Sequence, residues 1–302
     1  MTYARLLFPD FSLILCGYLL CRFTHLGRPV WQQVEALVYY FLFPVLLFQS
    51  IAKSPLDLGV LGGLIGAGVT MGLVGIALAY AIPFLPGLRT RVDRRDAAAS
   101  AQVAFRFNSF IALALAERIG GPQGGQLIAV LIGVGVPLFN IAAVLPMARG
   151  GGHGILASIV RNPLIVGTAS GLLFNQLGLA IPEWLMPTFS RIGAAALALG
   201  LMSAGAGMQF AAMSGGIWLA ASVLGIRHVV SPLVALLAGR LFGLDAQQAA
   251  VLMAFSALPT ASTCYVLAAR MGYNGPYVAG LVAMSTLLGM ASLPFALALV
   301  GV

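Results

Sequence analysis

The chain has 302 residues, 60% hydrophobic and 8% charged, whereas an ordinary soluble domain carries about 25% charged residues. A soluble fold of this length would lack the polar side chains to cover its surface, and the mean hydropathy of +1.00 points the same way. The net charge of +8 sits mostly in short segments between apolar runs, without aromatic interleaving. It reads as the loop basicity of a membrane protein and excludes a nucleic-acid partner.

In chain order, ten apolar runs follow one another: Phe8–Phe23, Val34–Ala52, Leu58–Leu85, Ala97–Ile119, Gln126–Ala148, Leu156–Leu177, Phe189–Met208, Gly216–Gly239, Ala246–Met271 and Tyr277–Val300. A bilayer crossing needs about 20 apolar residues as a helix. An open strand edge cannot face lipid, and the runs are too long and too continuously apolar for barrel strands. The expected fold is therefore an all-α integral membrane domain of ten transmembrane helices embedded in the lipid bilayer. The first run contains Asp10 and lacks a basic leader, so it reads as a retained helix and not a signal peptide. Cys16, Cys21 and Cys264 lie in apolar runs without ligand spacing, so no metal is expected. The glycines of the third run (Gly59, Gly62, Gly63, Gly66, Gly68, Gly72, Gly75) read as close helix packing, and Gly150 to Gly152 as a flexible loop.

Loop charge predicts orientation. One side collects Arg22, Arg28, Arg89, Arg91, Arg94, Arg95, Arg149, Arg161 and Arg270; the other collects Arg5, Lys53, Arg118, Arg191 and Arg240. The richer side is expected in the cytoplasm, with both termini outside.

The second half echoes the first. Pro29-Val30-Trp31 returns as Pro182-Glu183-Trp184, Ala104-Phe105 as Ala254-Phe255, Ala116 to Gly120 as Ala268 to Gly272, and Leu145-Pro146 as Leu293-Pro294. The matches keep their order at offsets near 150 residues. The expected organisation is two five-helix repeats, 1–150 and 151–302, within one domain. An odd helix number inverts the second copy, the arrangement that suits alternating access in secondary transporters.

In such transporters the substrate lies near the midplane, where interrupted helices expose backbone groups. The fourth run carries Arg106, Asn108 and Ser109 mid-span; the ninth carries Pro259, Thr260, Ser262 and Thr263. Pro259 cannot donate to the helix ladder. Arg106 and Arg227, with His228 beside the latter, also lie within spans, where a basic residue needs a partner or a wet cavity. The bland alternatives are a proline kink with back-bonded hydroxyls, and structural arginines bonded to helix carbonyls. Asp10, Glu35, Asp57, Asp93, Asp96, Glu117, Glu183 and Asp245 all fall in loops or near run ends. With no midplane carboxylate, a small organic anion is the expected guest. Arg227 and His228 are candidates for a charge or proton role. No nucleophile–base pair, metal cluster or Walker-type loop supports an enzyme, a cofactor or an ATP-driven pump.

Tyr40-Phe41-Leu42-Phe43-Pro44, Asn108-Ser109, Arg161-Asn162-Pro163-Leu164-Ile165 and the segment Leu258-Pro259-Thr260-Ala261 to Leu267-Ala268 together resemble the auxin efflux carrier family, over essentially the whole chain. The resemblance implies a scaffold of helices 1, 2, 6 and 7, a mobile core of helices 3–5 and 8–10, and broken helices 4 and 9 that cross. It implies elevator-type transport of carboxylates, auxin-like or malate- or malonate-like, by a homodimer joined through the scaffold in the bacterial inner membrane. It assigns Asn108 to the substrate carboxylate and Pro259 to the ninth-helix break. One departure is Ile111-Ala112-Leu113-Ala114, where family members carry a proline. A proton- or potential-driven organic-anion carrier is thus expected. The rivals are a sodium- or proton-coupled exchanger of the bile-acid symporter or antiporter type, and a membrane sensor.

Overall fold

The computed structural model describes residues 2–53, 58–151, 163–207, 216–261 and 263–300. These are helical or in short connections, with no strand among them. In chain order the helices are α1 (Thr2–Phe23), α2 (Arg28–Leu37), α3 (Phe43–Ala52), α4 (Leu58–Ala81), α5 (Arg94–Phe105), α6 (Ser109–Gly151), α7 (Pro163–Gln176), α8 (Met186–Ala206), α9 (Ile217–Gly225), α10 (Ser231–Leu241), α11 (Ala246–Ala257), α12 (Thr263–Arg270) and α13 (Gly275–Ala298).

Among the described residues, five stretches are long and apolar enough to cross a membrane: Arg28–Gln49, Leu61–Phe84, Gln123–Met147, Ile217–Leu241 and Gly275–Ala298. Gln123–Met147 is 78% buried within the protein, against 39–50% for the other four, so it is the most enclosed of the five. The fourth and ninth runs fall outside this group because each is interrupted.

Local chemistry explains the irregularities. α6 comprises two helical segments that meet at a kink at Gly121, whose φ of 57° and ψ of −150° suit glycine; the fourth and fifth runs meet there. Two π-helical turns, Val38–Leu42 and Ile226–Val230, join α2 to α3 and α9 to α10. Each precedes a proline, Pro44 or Pro232, at the start of the next helix. A proline nitrogen cannot donate, and its ring clashes with the carbonyl four residues back, so the chain widens by one residue. The amides of Phe43 and Ser231 then donate to the carbonyls of Val38 and Ile226, five residues back.

Among the described residues the two most intimate helix pairings are α1 with α8 and α3 with α7. Both depend on missing side chains. A Cβ at Gly167 would lie 2.6 Å from the Pro44 carbonyl oxygen, and one at Gly205 would collide with the Ile14 carbonyl. Small residues that let backbones approach are the usual basis of helix association in lipid. The glycines of α4 do the same: Gly66 faces the ring of Phe242 and Gly72 that of Phe139, which is packing, as expected.

Candidate functional site

α5 and α11 are built alike. Each starts on an aspartate cap: Asp93 Oδ1 accepts from the amides of Arg95 and Asp96 at 2.8 and 2.9 Å, and Asp245 Oδ1 from the amide of Gln248 at 2.8 Å. Each runs for 12 residues and then stops. α11 stops because Pro259 follows. Its ring disfavours the helical conformation at the preceding residue, and Leu258 is extended, with φ −56° and ψ 145°. No proline follows α5. There Asn108 caps α6 instead, its Oδ1 accepting from the Ile111 amide at 3.2 Å. Asn108 also donates its own amide to the Pro259 carbonyl at 2.9 Å.

That bond joins the two interruptions, and others reinforce it. Thr260 Oγ1 donates to the Arg106 carbonyl at 3.0 Å. The Arg106 guanidinium is 5% exposed and donates to Gln102 Oε1 at 2.8 Å and to Thr263 Oγ1 at 2.9 Å. Its Nη1 lies 3.9 Å from Cys264 Sγ. The ring of Phe107 packs 4.4 Å from that of Phe255 and 5.9 Å from that of Phe139. Arg106, Asn108, Pro259, Thr260 and Thr263 are therefore brought together, with Ser109 buried beside them. Ser262 lies outside the described residues, as do Arg161 and Asn162.

Arg106, Ser109 and Thr263 share a cavity of about 20 Å³ with Phe107, Phe139 and Asn140, enough for about one water molecule. Asn140 is the residue the sequence reading missed. It lies mid-way along the fifth run, 2% exposed, and its Nδ2 has no hydrogen-bond partner among the described residues. An amide in the middle of an apolar run is the signal that singles it out. A wider opening of about 560 Å³ lies between α2 and α12, lined by Arg28, Gln32, Glu35, Tyr265 and Arg270 among others. There Arg28 Nη1 pairs with Glu35 Oε1 at 2.9 Å, and the Arg270 guanidinium donates to the Tyr40 hydroxyl.

Arg227 and His228 do not line the cavity. The π turn brings Arg227 inward, where it is 1% exposed and donates to the carbonyls of Leu258 at 2.7 Å and Phe255 at 3.2 Å. His228 lies between two serines, with Nδ1 2.9 Å from Ser292 Oγ and Nε2 2.9 Å from Ser285 Oγ. Ser292 Oγ donates to the Ala257 carbonyl at 3.3 Å, and Ser285 Oγ accepts from the Thr260 amide at 2.9 Å. One hydroxyl has one proton, so Nδ1 donates to Ser292 and Nε2 accepts from Ser285. The circuit bridges residues 257 and 260 across the interruption.

Among the described residues, neither Arg106 nor Arg227 has a carboxylate partner, and no cluster of residues suits a metal ion. A family model described as membrane transport protein matches residues 146–297. A relative named an uncharacterized transporter, from Methanothermobacter thermautotrophicus, is 26% identical over 287 residues, covering 93% of each chain. The chain is a multi-pass membrane transporter and belongs to the membrane transport protein family of auxin efflux carrier-like proteins.

Proposed function

We propose that the protein is a secondary carrier of small organic anions, with the carboxylate held at the crossing of the two interrupted helices. One observation carries the reading: the buried Arg106 guanidinium has no carboxylate counter-ion among the described residues and shares its cavity with the unpartnered amide of Asn140. A buried cation at membrane depth faces a partner or a substrate path. Arg106 neutralises the carboxylate; Asn108 and Asn140 orient it; Ser109, Thr260 and Thr263 surround it. A cation-binding exchanger needs a carboxylate here, and none is present among the described residues.

The transport cycle we propose is an elevator on a five-plus-five inverted repeat. Asp93 and Asp245 stand 152 residues apart, as do Phe105 and Ala257, the last residues of two capped 12-residue helices. A five-run shift also turns the pairing of the first and seventh runs into that of the sixth and second. Those are the α1–α8 and α3–α7 pairings, the tightest among the described residues. Both fall within runs 1, 2, 6 and 7, the proposed scaffold, whose contacts with runs 3–5 and 8–10 are sparser. The scaffold is proposed to form a homodimer, and the Arg-rich segment Arg89 to Arg95 to face the cytoplasm of the plasma membrane. Coupling to the proton gradient or the membrane potential completes the proposal. The test is thermal stabilisation of the purified protein by a carboxylate series set against amines and neutral analogues. Stabilisation by amines alone overturns it.

A further inference from the structure

Pro259 leaves the end of α11 with an acceptor that no backbone donor can reach. In an unbroken helix the amide of residue 259 would bond the carbonyl of residue 255. A proline has no such amide, so the Phe255 carbonyl is orphaned, and the extended Leu258 adds its own. Both carbonyls are buried, where an unmet polar group is costly. The donors come from Arg227, through Nη2 to Phe255 and Nε to Leu258. Its charge also lies at the negative pole of α11, a favourable placement.

We propose that Arg227 is the positioning residue of the ninth-helix interruption: its guanidinium replaces the hydrogen bond that Pro259 removes and sets the register of residues 258–260. Those residues hold the other side of the site, because the Pro259 carbonyl takes the Asn108 amide and Thr260 Oγ1 bonds the Arg106 carbonyl. Arg227 acts through them and touches no substrate. Its purpose rests on the reading of the crossing as the anion site, but its test uses no anion, so the two fail separately.

The test has two parts. Arg227→Lys keeps the charge, yet a single ammonium cannot reproduce the fork that reaches both carbonyls. It lowers the melting temperature, and adding Pro259→Ala, which returns an amide to Phe255, gives a double variant about 2–4 °C more stable than additivity allows. Arg227→Met, which loses both bonds, shows a larger coupling; where it yields no folded protein, recovery on adding Pro259→Ala reads the same effect. The second part uses Cys264, fully buried beside Thr260 Oγ1 at 3.6 Å. In a Cys16→Ser, Cys21→Ser background it is the remaining thiol of three. Arg227→Lys speeds its labelling by N-ethylmaleimide on the order of tenfold in folded protein, because the interruption opens more often. Additive melting temperatures, or Cys264 labelling unchanged from the parent, overturn the proposal.

Discussion

Replacing Arg106 with glutamine separates a charge held for substrate from one held for structure. In the folded protein the guanidinium makes two close side-chain bonds, to Gln102 and Thr263, both neutral acceptors, and a long, weak one to Cys264 Sγ. Burying one ion costs several kcal/mol after relaxation. A hydrogen bond from a charged donor returns about 1.5–3 kcal/mol, so two bonds roughly cancel the burial. The ligand-free melting temperature of Arg106→Gln should then stay within about 3 °C of wild type. With a carboxylate bound, the lost charge-assisted bond is uncompensated, which weakens affinity roughly ten- to 150-fold. The assay is a melt of each purified protein with and without the most stabilising carboxylate at 100 times its wild-type Kd. Wild type gains about 2.7 kcal/mol there; a variant binding a hundredfold more weakly gains about 0.4 kcal/mol. Equal ligand-induced stabilisation in both proteins, or a collapse of the ligand-free Arg106→Gln protein, would return Arg106 to a structural role.

Asn140→Leu keeps the number and branching of side-chain heavy atoms, at some cost in bulk, and removes a buried donor that has no partner among the described residues; stability should rise by up to about 1–3 kcal/mol while carboxylate stabilisation shrinks, and an undiminished ligand shift excludes Asn140 from the site. Pro259→Ala lets α11 continue towards α12, so uptake into liposomes should be lost while the melting temperature holds or rises. A less stable protein that transports normally per folded molecule would make the interruption an incidental kink. For orientation, single cysteines at Arg91 and Gly151 should be protected from an impermeant thiol reagent in intact cells, and one at Pro55 should react. Labelling at Gly151 with protection at Pro55 inverts the topology.

The membrane class and the helical content were legible in the sequence because they depend on composition, which every residue reports. Pro259 was legible as well, since a proline marks its own break. The interruption after Phe105 was harder. Nothing in Arg106 to Asn108 forbids a helix, and the break depends on Asn108 as a cap and on its bond to Pro259, 151 residues away. Arg227 was visible as a charge within a span, but its partners were not. They are backbone carbonyls, which leave no mark on composition, and they come within reach because Pro232 forces a π turn that rotates Arg227 inward. Asn140 was overlooked because a lone amide in an apolar run carries little weight until its neighbours are known.

The placement of donors and acceptors explains why the proposed guest is an anion. Two helices end at the crossing, α5 and α11, and their terminal carbonyls are acceptors with partial negative charge. Several of those carbonyls are occupied from within. The Arg106 amide takes Gln102, Thr260 Oγ1 takes Arg106, Ser292 takes Ala257, and Arg227 takes Phe255 and Leu258. Two helices begin there, α6 and α12, and their first turns contribute partial positive charge. Two of the side chains that line the small cavity bring donors to it, the Arg106 guanidinium and the Asn140 amide. A cation finds several of its would-be acceptors already taken. A carboxylate, which only accepts when ionised, meets donors on several sides. A cavity of about 20 Å³ is smaller than any carboxylate, so binding requires lining side chains such as the Phe107 and Phe139 rings to part. Substitutions that loosen that aromatic packing should change the rate of anion association before they change the preference for anions.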